Sequence, residues 1–120
     1  MVAFVVVSHS TKLAEGIIDL AKMSAPEVTM IPAGGLEDGS YGTSFGMISD
    51  AIKQAYCDDG VIVLVDLGSA VMTTEMVLES LNLPKVRMTE SPMVAAAVTG
   101  TVLSAAGAGI EEILEELNQL

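Results

Sequence analysis

The sequence contains a single histidine, His9, which directly follows the unbroken apolar run Val2–Val7. A carboxylate, Asp66, directly follows a second such run, Val61–Val65. An imidazole beside a carboxylate has a defined chemistry. The carboxylate accepts the proton of one ring nitrogen and fixes the tautomer, so that the other nitrogen presents its lone pair. The two residues are therefore candidates for nucleophilic catalysis by the imidazole itself.

The two apolar runs are typical of strands buried on both faces, as in a parallel sheet covered by helices. Helical patterns alternate with strand patterns along the chain, which favours parallel pairing through right-handed crossovers. We therefore predict a flavodoxin-like α/β fold, an open four-stranded parallel sheet of order 2-1-3-4 with helices on both faces. The switch point between the first and third strands places His9 and Asp66 at one crevice. The turn after the third strand adds Gly68 and Ser69 to it.

Local patterns give the expected limits of the other elements. The second strand, Val28–Ile31, should stop at Pro32, and Lys85–Met88 alternates in polarity as an edge strand does. Hydroxyl side chains suited to capping precede the first three helices, namely Ser10 or Thr11, Thr43 or Ser44, and Ser69. The spacing of apolar residues predicts buried faces that include Leu13 and Leu20 in the first helix, and Met72 and Met76 in the third.

The segment between the second strand and the second helix is rich in glycine, with Gly34, Gly35, Gly39 and Gly42. It is neither a Walker A motif nor a dinucleotide-binding fingerprint. Because it ends in Thr43 and Ser44 at a helix start, it can bring backbone N–H and hydroxyl groups close to an anion. The five Lys and Arg residues are scattered, so a phosphate near His9 would depend on such neutral donors. That arrangement suits a transient phosphate better than a tightly held nucleotide.

Length and composition exclude several classes of function. The chain has 120 residues, which predicts one domain spanning residues 1–120. Its net charge of -11 excludes the basic surface that nucleic acid and anionic membranes require. We expect neither a signal peptide nor a membrane span, and the single Cys57 fits a reduced, cytoplasmic setting. With one histidine and no zinc-like ligand spacing, neither a metal site nor a cofactor is expected.

The segment from Met93 to Ala106 is rich in alanine and has little polar surface. A helix that is apolar over most of its circumference must be buried, and a small four-stranded sheet leaves part of it uncovered. We therefore expect a homodimer, with a two-fold interface over this helix and the edge strand. In a monomer, the amphipathic stripe Ile110–Leu117 would have to cover the helix instead.

Three motifs resemble, in order and spacing, a known family. They are Val7-Ser8-His9-Ser10, the loop from Gly34-Gly35 through Gly39 to Gly42-Thr43-Ser44, and Asp66-Leu67-Gly68-Ser69-Ala70. The family is that of the phosphotransferase subunits of phosphoenolpyruvate-dependent dihydroxyacetone kinases (DhaM). These subunits are in turn similar to the IIA domains of mannose-type sugar phosphotransferase systems. The likeness covers nearly the whole chain.

The resemblance implies that His9 is a phosphoryl carrier and that Asp66 orients it. The residues around the phosphate would be Ser10, Thr43, Ser44, Gly68 and Ser69. The resemblance also implies that the carrier protein HPr donates the phosphoryl group, as a separate chain, and that ADP bound in the subunit DhaL accepts it. One motif departs from the family. Where the family often reads Pro-x-Val-Glu-Gly-Ala, this chain has Pro92-Met93-Val94-Ala95-Ala96-Ala97, so the glutamate has no counterpart here.

Two alternatives stay open at the level of sequence. One is a mannose-type IIA domain for sugar transport, which has the same chemistry but passes its phosphate to a IIB domain. The other is a non-catalytic flavodoxin-like or receiver-like binding module. A receiver needs an acidic pair after its first strand, and Ser8-His9 at that point argues against it.

Overall fold

The computed structural model describes residues 1–120, and its centre is one parallel sheet. The strands are β1 (Ala3–Ser8), β2 (Met30–Gly34), β3 (Val61–Val65) and β4 (Val86–Thr89). They are ordered β2-β1-β3-β4, which confirms the predicted topology. Every residue of β1 and β3 is buried, which explains why these two strands are unbroken apolar runs.

Five helices cover the two faces of the sheet: α1 (Thr11–Lys22), α2 (Phe45–Ala55), α3 (Gly68–Leu81), α4 (Met93–Ala105) and α5 (Ile110–Leu117). Side chains of α1, α4 and α5 pack with Phe4 and Ile62 in one apolar cluster. Side chains of α2 and α3 pack with Val5 and Val63 in a second cluster on the other face. None of these helices is both long and apolar enough to cross a membrane.

The second strand begins and ends later than the sequence predicts. β2 begins at Met30 and continues through Pro32 to Gly34, with Pro32 opposite Val6 of β1. Proline fits here because β2 is an edge strand, where one side of the backbone needs no partner in the sheet. The chain therefore reaches the glycine-rich loop directly from the end of a strand.

Helix starts and buried faces also differ in part from the prediction. Ser10 caps α1 and Ser44 caps α2, each accepting a hydrogen bond from a backbone N–H three residues on. The predicted Ser69 cap is wrong, since α3 begins at Gly68 after Leu67 and has no side-chain cap. The predicted buried positions Leu13, Leu20, Met72 and Met76 are exposed. The inner face of α1 is offset by one residue and consists of Ala14, Ile17, Ile18 and Ala21.

The alanine-rich helix α4 is covered on its inner side by other parts of the same chain. It packs between α1 and α5, and Ile113 and Leu117 of α5 are fully buried in this cluster. Gly100 lets Phe4 approach closely, since a Cβ at that position would lie 2.9 Å from the Phe4 ring. Only the outer face of α4 remains in contact with solvent, where Val94 and Val102 are exposed.

The end of β2 packs closely against the start of α1. Thr11 Oγ1 donates a hydrogen bond of 2.8 Å to the carbonyl of Gly34. A Cβ on Gly34 would lie 2.6 Å from the Ser10 carbonyl oxygen and 2.8 Å from the Thr11 Cα. Since both are backbone atoms, they cannot move aside as a flexible side chain would. Glycine at position 34 therefore allows the end of β2 to pack directly against the start of α1, immediately after His9.

We expect Gly34→Ala to lower the free energy of unfolding by about 1–3 kcal/mol, because the overpacked backbone of α1 must shift. Gly16→Ala is the matched control: Gly16 is exposed inside α1 and a Cβ there would have no neighbour within 4 Å. That control should raise the free energy by up to about 1 kcal/mol through helix propensity. Urea denaturation measures both. A Gly34→Ala variant as stable as the wild type would contradict the tight contact.

Candidate active site

His9 and Asp66 meet at the carboxyl edge of the sheet, where β1 and β3 end. Val7 pairs with Val65 in register, so the next residues of the two strands emerge side by side. His9 Nδ1 lies 3.0 Å from Asp66 Oδ1, and the backbone N–H of His9 donates to Asp66 Oδ2 at 2.9 Å. One carboxylate therefore holds both the backbone and the ring of the histidine.

The Asp66 carboxylate accepts two further hydrogen bonds. The Leu67 N–H donates to Oδ1 at 2.6 Å, and the Ser8 hydroxyl donates to Oδ2 at 2.9 Å. Partial burial alone would raise the pKa of Asp66, but the hydrogen bonds from the N–H groups of His9 and Leu67, the His9 ring and Ser8 together hold that pKa below its ordinary value. Asp66 is therefore ionised at neutral pH and can only accept protons in hydrogen bonds.

An ionised carboxylate next to Nδ1 determines the tautomer of His9. Because Asp66 has no proton to donate, Nδ1 carries the ring proton, and in the neutral imidazole the lone pair resides on Nε2. Nε2 lies 2.5 Å from the Ser69 hydroxyl, which donates to it in this state. The His9 side chain is 29% exposed, so this nitrogen is accessible from the protein surface.

The start of α3 supplies hydrogen-bond donors beside Nε2. Leu67 offers no capping side chain, and the N–H groups of Gly68 and Ser69 have no partner in the chain. The positive end of the helix dipole of α3 adds to them. The helices α1 and α2, which also start at this edge, are capped by serine side chains. The structure therefore leaves unpartnered N–H groups at a helix start next to His9 Nε2, a type of terminus that can bind an anion.

The glycine-rich loop lies against His9 from the other side. The Gly42 N–H donates to the His9 carbonyl at 3.0 Å, and Gly35 and Thr43 form an isolated bridge. The Thr43 hydroxyl lies 3.2 Å from the Thr73 hydroxyl on α3. Hydrogen bonds thus connect the loop to His9 and to α3. Thr43 directly follows Gly42, the residue that contacts His9.

Two of the predicted phosphate-binding hydroxyls have other partners. The Ser10 hydroxyl accepts from the Leu13 N–H at 3.2 Å as the cap of α1. The Ser44 hydroxyl accepts from the Met47 N–H at 3.2 Å and donates to Glu37 Oε2 at 2.6 Å. Neither contacts His9. Hydrogen bonds therefore join His9, Asp66 and Ser69 directly, and Gly68 precedes Ser69 in the chain, whereas Ser10 and Ser44 lie in the adjoining helix starts.

Sequence reasoning missed Ser8 and Thr73. Ser8 is fully buried at the end of β1, and its hydroxyl contacts the same carboxylate as His9. The sequence carries a signal for Ser8, because it is the one polar residue at the end of an otherwise apolar run. Thr73 follows Ser69 by four residues, which places both on one face of α3.

His9 lies on an open surface rather than in a cavity. The nearest groove, of about 620 Å³, runs between the start of α1 and the glycine-rich loop, and Ser10, Lys12 and Tyr41 line it. No group of three or more His, Cys, Asp or Glu side chains is placed to bind a metal ion. The chemistry that this arrangement offers is nucleophilic attack by Nε2 on an electrophile presented from outside.

Comparison with solved structures agrees with the observed fold. A crystal structure of a protein of unknown function superposes with a TM-score of 0.89 at 27% identity, covering 98% of this chain and 93% of that one. The phosphotransferase system component EIIA from Streptococcus agalactiae superposes with a TM-score of 0.74 at 13% identity, covering 99% of this chain and 91% of that one. The second likeness shows the shared fold alone.

Comparison of sequences is more specific. Residues 3–114 match the EIIA-man family, described as the PTS system fructose IIA component. The phosphoryl donor subunit DhaM of PEP-dependent dihydroxyacetone kinase 2 from Listeria innocua is 35% identical, over 100% of this chain and 99% of that protein. The phosphotransferase subunit DhaM of the PTS-dependent dihydroxyacetone kinase from Lactococcus lactis is 34% identical, over 97% of this chain and 93% of that protein. The chain therefore belongs to the EIIA-man family, within its DhaM branch.

Proposed function

We propose that this chain is the phosphoryl donor subunit of a phosphoenolpyruvate-dependent dihydroxyacetone kinase. It accepts a phosphoryl group from phospho-HPr on His9 and passes it to ADP bound in a DhaL-type subunit. The observation that carries the proposal is the geometry of His9: Asp66 holds Nδ1, while Nε2 faces outward beside the uncapped start of α3. The names of the two bacterial relatives support the same function.

In the proposed transfer, Nε2 of neutral His9 attacks the phosphorus of the donor phosphohistidine in line. A new N–P bond forms at Nε2, the N–P bond of the donor breaks, and its electron pair returns to the donor imidazole. The proton on Nδ1 stays in place, and the Asp66 carboxylate balances the positive charge that develops on the ring. No metal or cofactor on this chain takes part in these steps.

Phosphoryl binding requires the Ser69 hydroxyl to change its partner. In the free protein it donates to the Nε2 lone pair, which must be released before attack. We infer that it turns to an equatorial phosphoryl oxygen, where the N–H groups of Gly68 and Ser69 also donate. Thr43 completes the surroundings from the glycine-rich loop. Ser10 and Ser44 would contribute only by releasing the helix N–H groups that they cap.

The surface around His9 fits exchange between proteins. No groove or cavity encloses the ring, so a small substrate would be poorly held, whereas a partner protein can deliver its phosphohistidine to an open site. The net charge of -11 favours encounter with a basic face on HPr. The single, unpaired Cys57 fits a reduced cytoplasmic compartment, where we place this exchange.

The test is incubation with phosphoenolpyruvate, the general phosphotransferase enzyme I and HPr. We expect one acid-labile, base-stable phosphate per chain, and none on His9→Ala or His9→Gln. The Gln variant is the matched control because it keeps a polar side chain of similar reach without the nucleophile. Labelling that survives either substitution would overturn the assignment of His9.

The phosphorylated chain then identifies the acceptor. We expect a DhaL subunit loaded with ADP to remove the label within one turnover and to form ATP, while a mannose-type IIB domain leaves the label in place. Transfer to IIB alone would contradict the proposed acceptor and favour a role in sugar transport.

We also propose that the protein works as a homodimer. Support comes from the exposed apolar side chains on the outer face of α4, Val94 and Val102. Sedimentation equilibrium at micromolar concentration should give about twice the chain mass of 12.4 kDa. Val102→Asp should shift the distribution towards the monomer, whereas Glu112→Asp on the exposed face of α5 serves as the control. A wild-type monomer under these conditions would contradict the proposal.

A further inference from the structure

Ser8 is a buried hydroxyl with two fixed hydrogen bonds. It is the last residue of β1 and has no exposed surface. Its Oγ accepts from the Ser10 N–H at 3.0 Å and donates to Asp66 Oδ2 at 2.9 Å. Because the N–H group can only donate, the hydroxyl proton of Ser8 is directed at the carboxylate.

This bond bears on the rotation of the carboxylate. The terminal torsion of an aspartate is broad, so the orientation of the carboxylate depends on the hydrogen bonds to its two oxygens. Oδ2 of Asp66 accepts from Ser8 and from the His9 N–H, and Oδ1 accepts from the Leu67 N–H and lies beside His9 Nδ1. Apart from the His9 ring itself, Ser8 is the one side chain among these donors. Without Ser8, only backbone groups would hold the carboxylate beside the ring.

Burial makes the contribution of Ser8 hard to replace. Water could substitute for a lost surface hydroxyl, but Ser8 is fully enclosed at the strand end. The same hydroxyl also holds the Ser10 N–H, at the residue that caps α1. The carboxylate orientation and the turn from β1 into α1 therefore share one hydrogen-bonding group.

We propose that Ser8 is a positioning residue for phosphoryl transfer: it orients the Asp66 carboxylate, which in turn keeps the proton of His9 on Nδ1 and the lone pair on Nε2. The inference rests on the proposed function for its catalytic consequence only. Its structural content, the effect of Ser8 on Asp66 and on the His9 tautomer, is measurable without any phosphoryl transfer.

The experiment compares four variants with the wild type by NMR. Ser8→Ala removes the hydroxyl, Ser8→Thr retains it, and Asp66→Asn gives the full loss of the carboxylate. Ser104→Ala is the matched control, since Ser104 also makes a buried bond from its hydroxyl, to the Val2 carbonyl at 2.6 Å, at the opposite end of β1. Urea denaturation verifies that each variant is folded.

Two spectroscopic readouts separate positioning from a loss of stability. The ¹⁵N shifts of neutral His9 should show the Nδ1–H tautomer in the wild type, Ser8→Thr and Ser104→Ala, and a mixture in Ser8→Ala. The ¹³C titration of the Asp66 carboxyl should have a higher midpoint in Ser8→Ala, because a donor to the ionised form has been removed. His9 is the one titratable side chain in hydrogen-bonding contact with Asp66, so its own titration is followed in the same samples.

The rate of phosphorylation by phospho-HPr should fall about tenfold in Ser8→Ala, the size expected for one hydrogen bond to a charged group. Ser8→Thr should restore most of this rate, and Ser104→Ala should leave it unchanged. If the wild type accepts no phosphate at all, the proposed function fails, while the two NMR readouts still decide the role of Ser8.

The proposal is overturned if Ser8→Ala keeps the wild-type tautomer and the wild-type Asp66 midpoint, or if Ser8→Thr changes both as much as Ser8→Ala does. Should Ser8→Ala fail to fold, Ser8→Cys takes its place, since it has nearly the same size but a weak donor. The thiol variant should then show the mixed tautomer, and a wild-type tautomer in it would overturn the proposal.

Discussion

The structure of the site depends on one carboxylate that accepts four hydrogen bonds at the edge of a parallel sheet. Asp66 joins the end of β1 to the end of β3 through Ser8, the His9 backbone and the His9 ring. This contact is possible because the two most apolar strands are neighbours in register. The donors keep Asp66 ionised, and an ionised carboxylate determines which ring nitrogen can act as a nucleophile.

The helices around this contact divide into capped and uncapped starts. At the starts of α1 and α2 a serine hydroxyl accepts one backbone N–H, that of Leu13 or Met47. The start of α3 has no such cap and lies beside Nε2. The N–H groups of Gly68 and Ser69 are the donors from which the proposed function takes its phosphate-binding role.

Much of this could be predicted from the sequence because two unbroken apolar runs each lead to a polar residue able to do chemistry. The unbroken runs before His9 and Asp66 identified central strands, and the topology rule for open parallel sheets then placed both residues at one edge. What could not be predicted depends on three-dimensional packing. Pro32 is tolerated because β2 is an edge strand, and the inner face of α1 is shifted by one residue to fit between the sheet and α4. Ser69 contacts His9 instead of capping α3 because the helix already begins at Gly68. Ser8 reaches Asp66 only because β1 and β3 pair in this register.

The central claim is that Asp66 holds Nδ1 and leaves Nε2 as the phosphoryl acceptor. The most direct measurement is ¹⁵N NMR of the phosphorylated protein, in which the two ring nitrogens of His9 are resolved by their shifts and by their coupling to phosphorus. The account predicts phosphate on Nε2, with the proton retained on Nδ1. Phosphate on Nδ1 would contradict it, because that nitrogen could then not be the one bound to the Asp66 carboxylate.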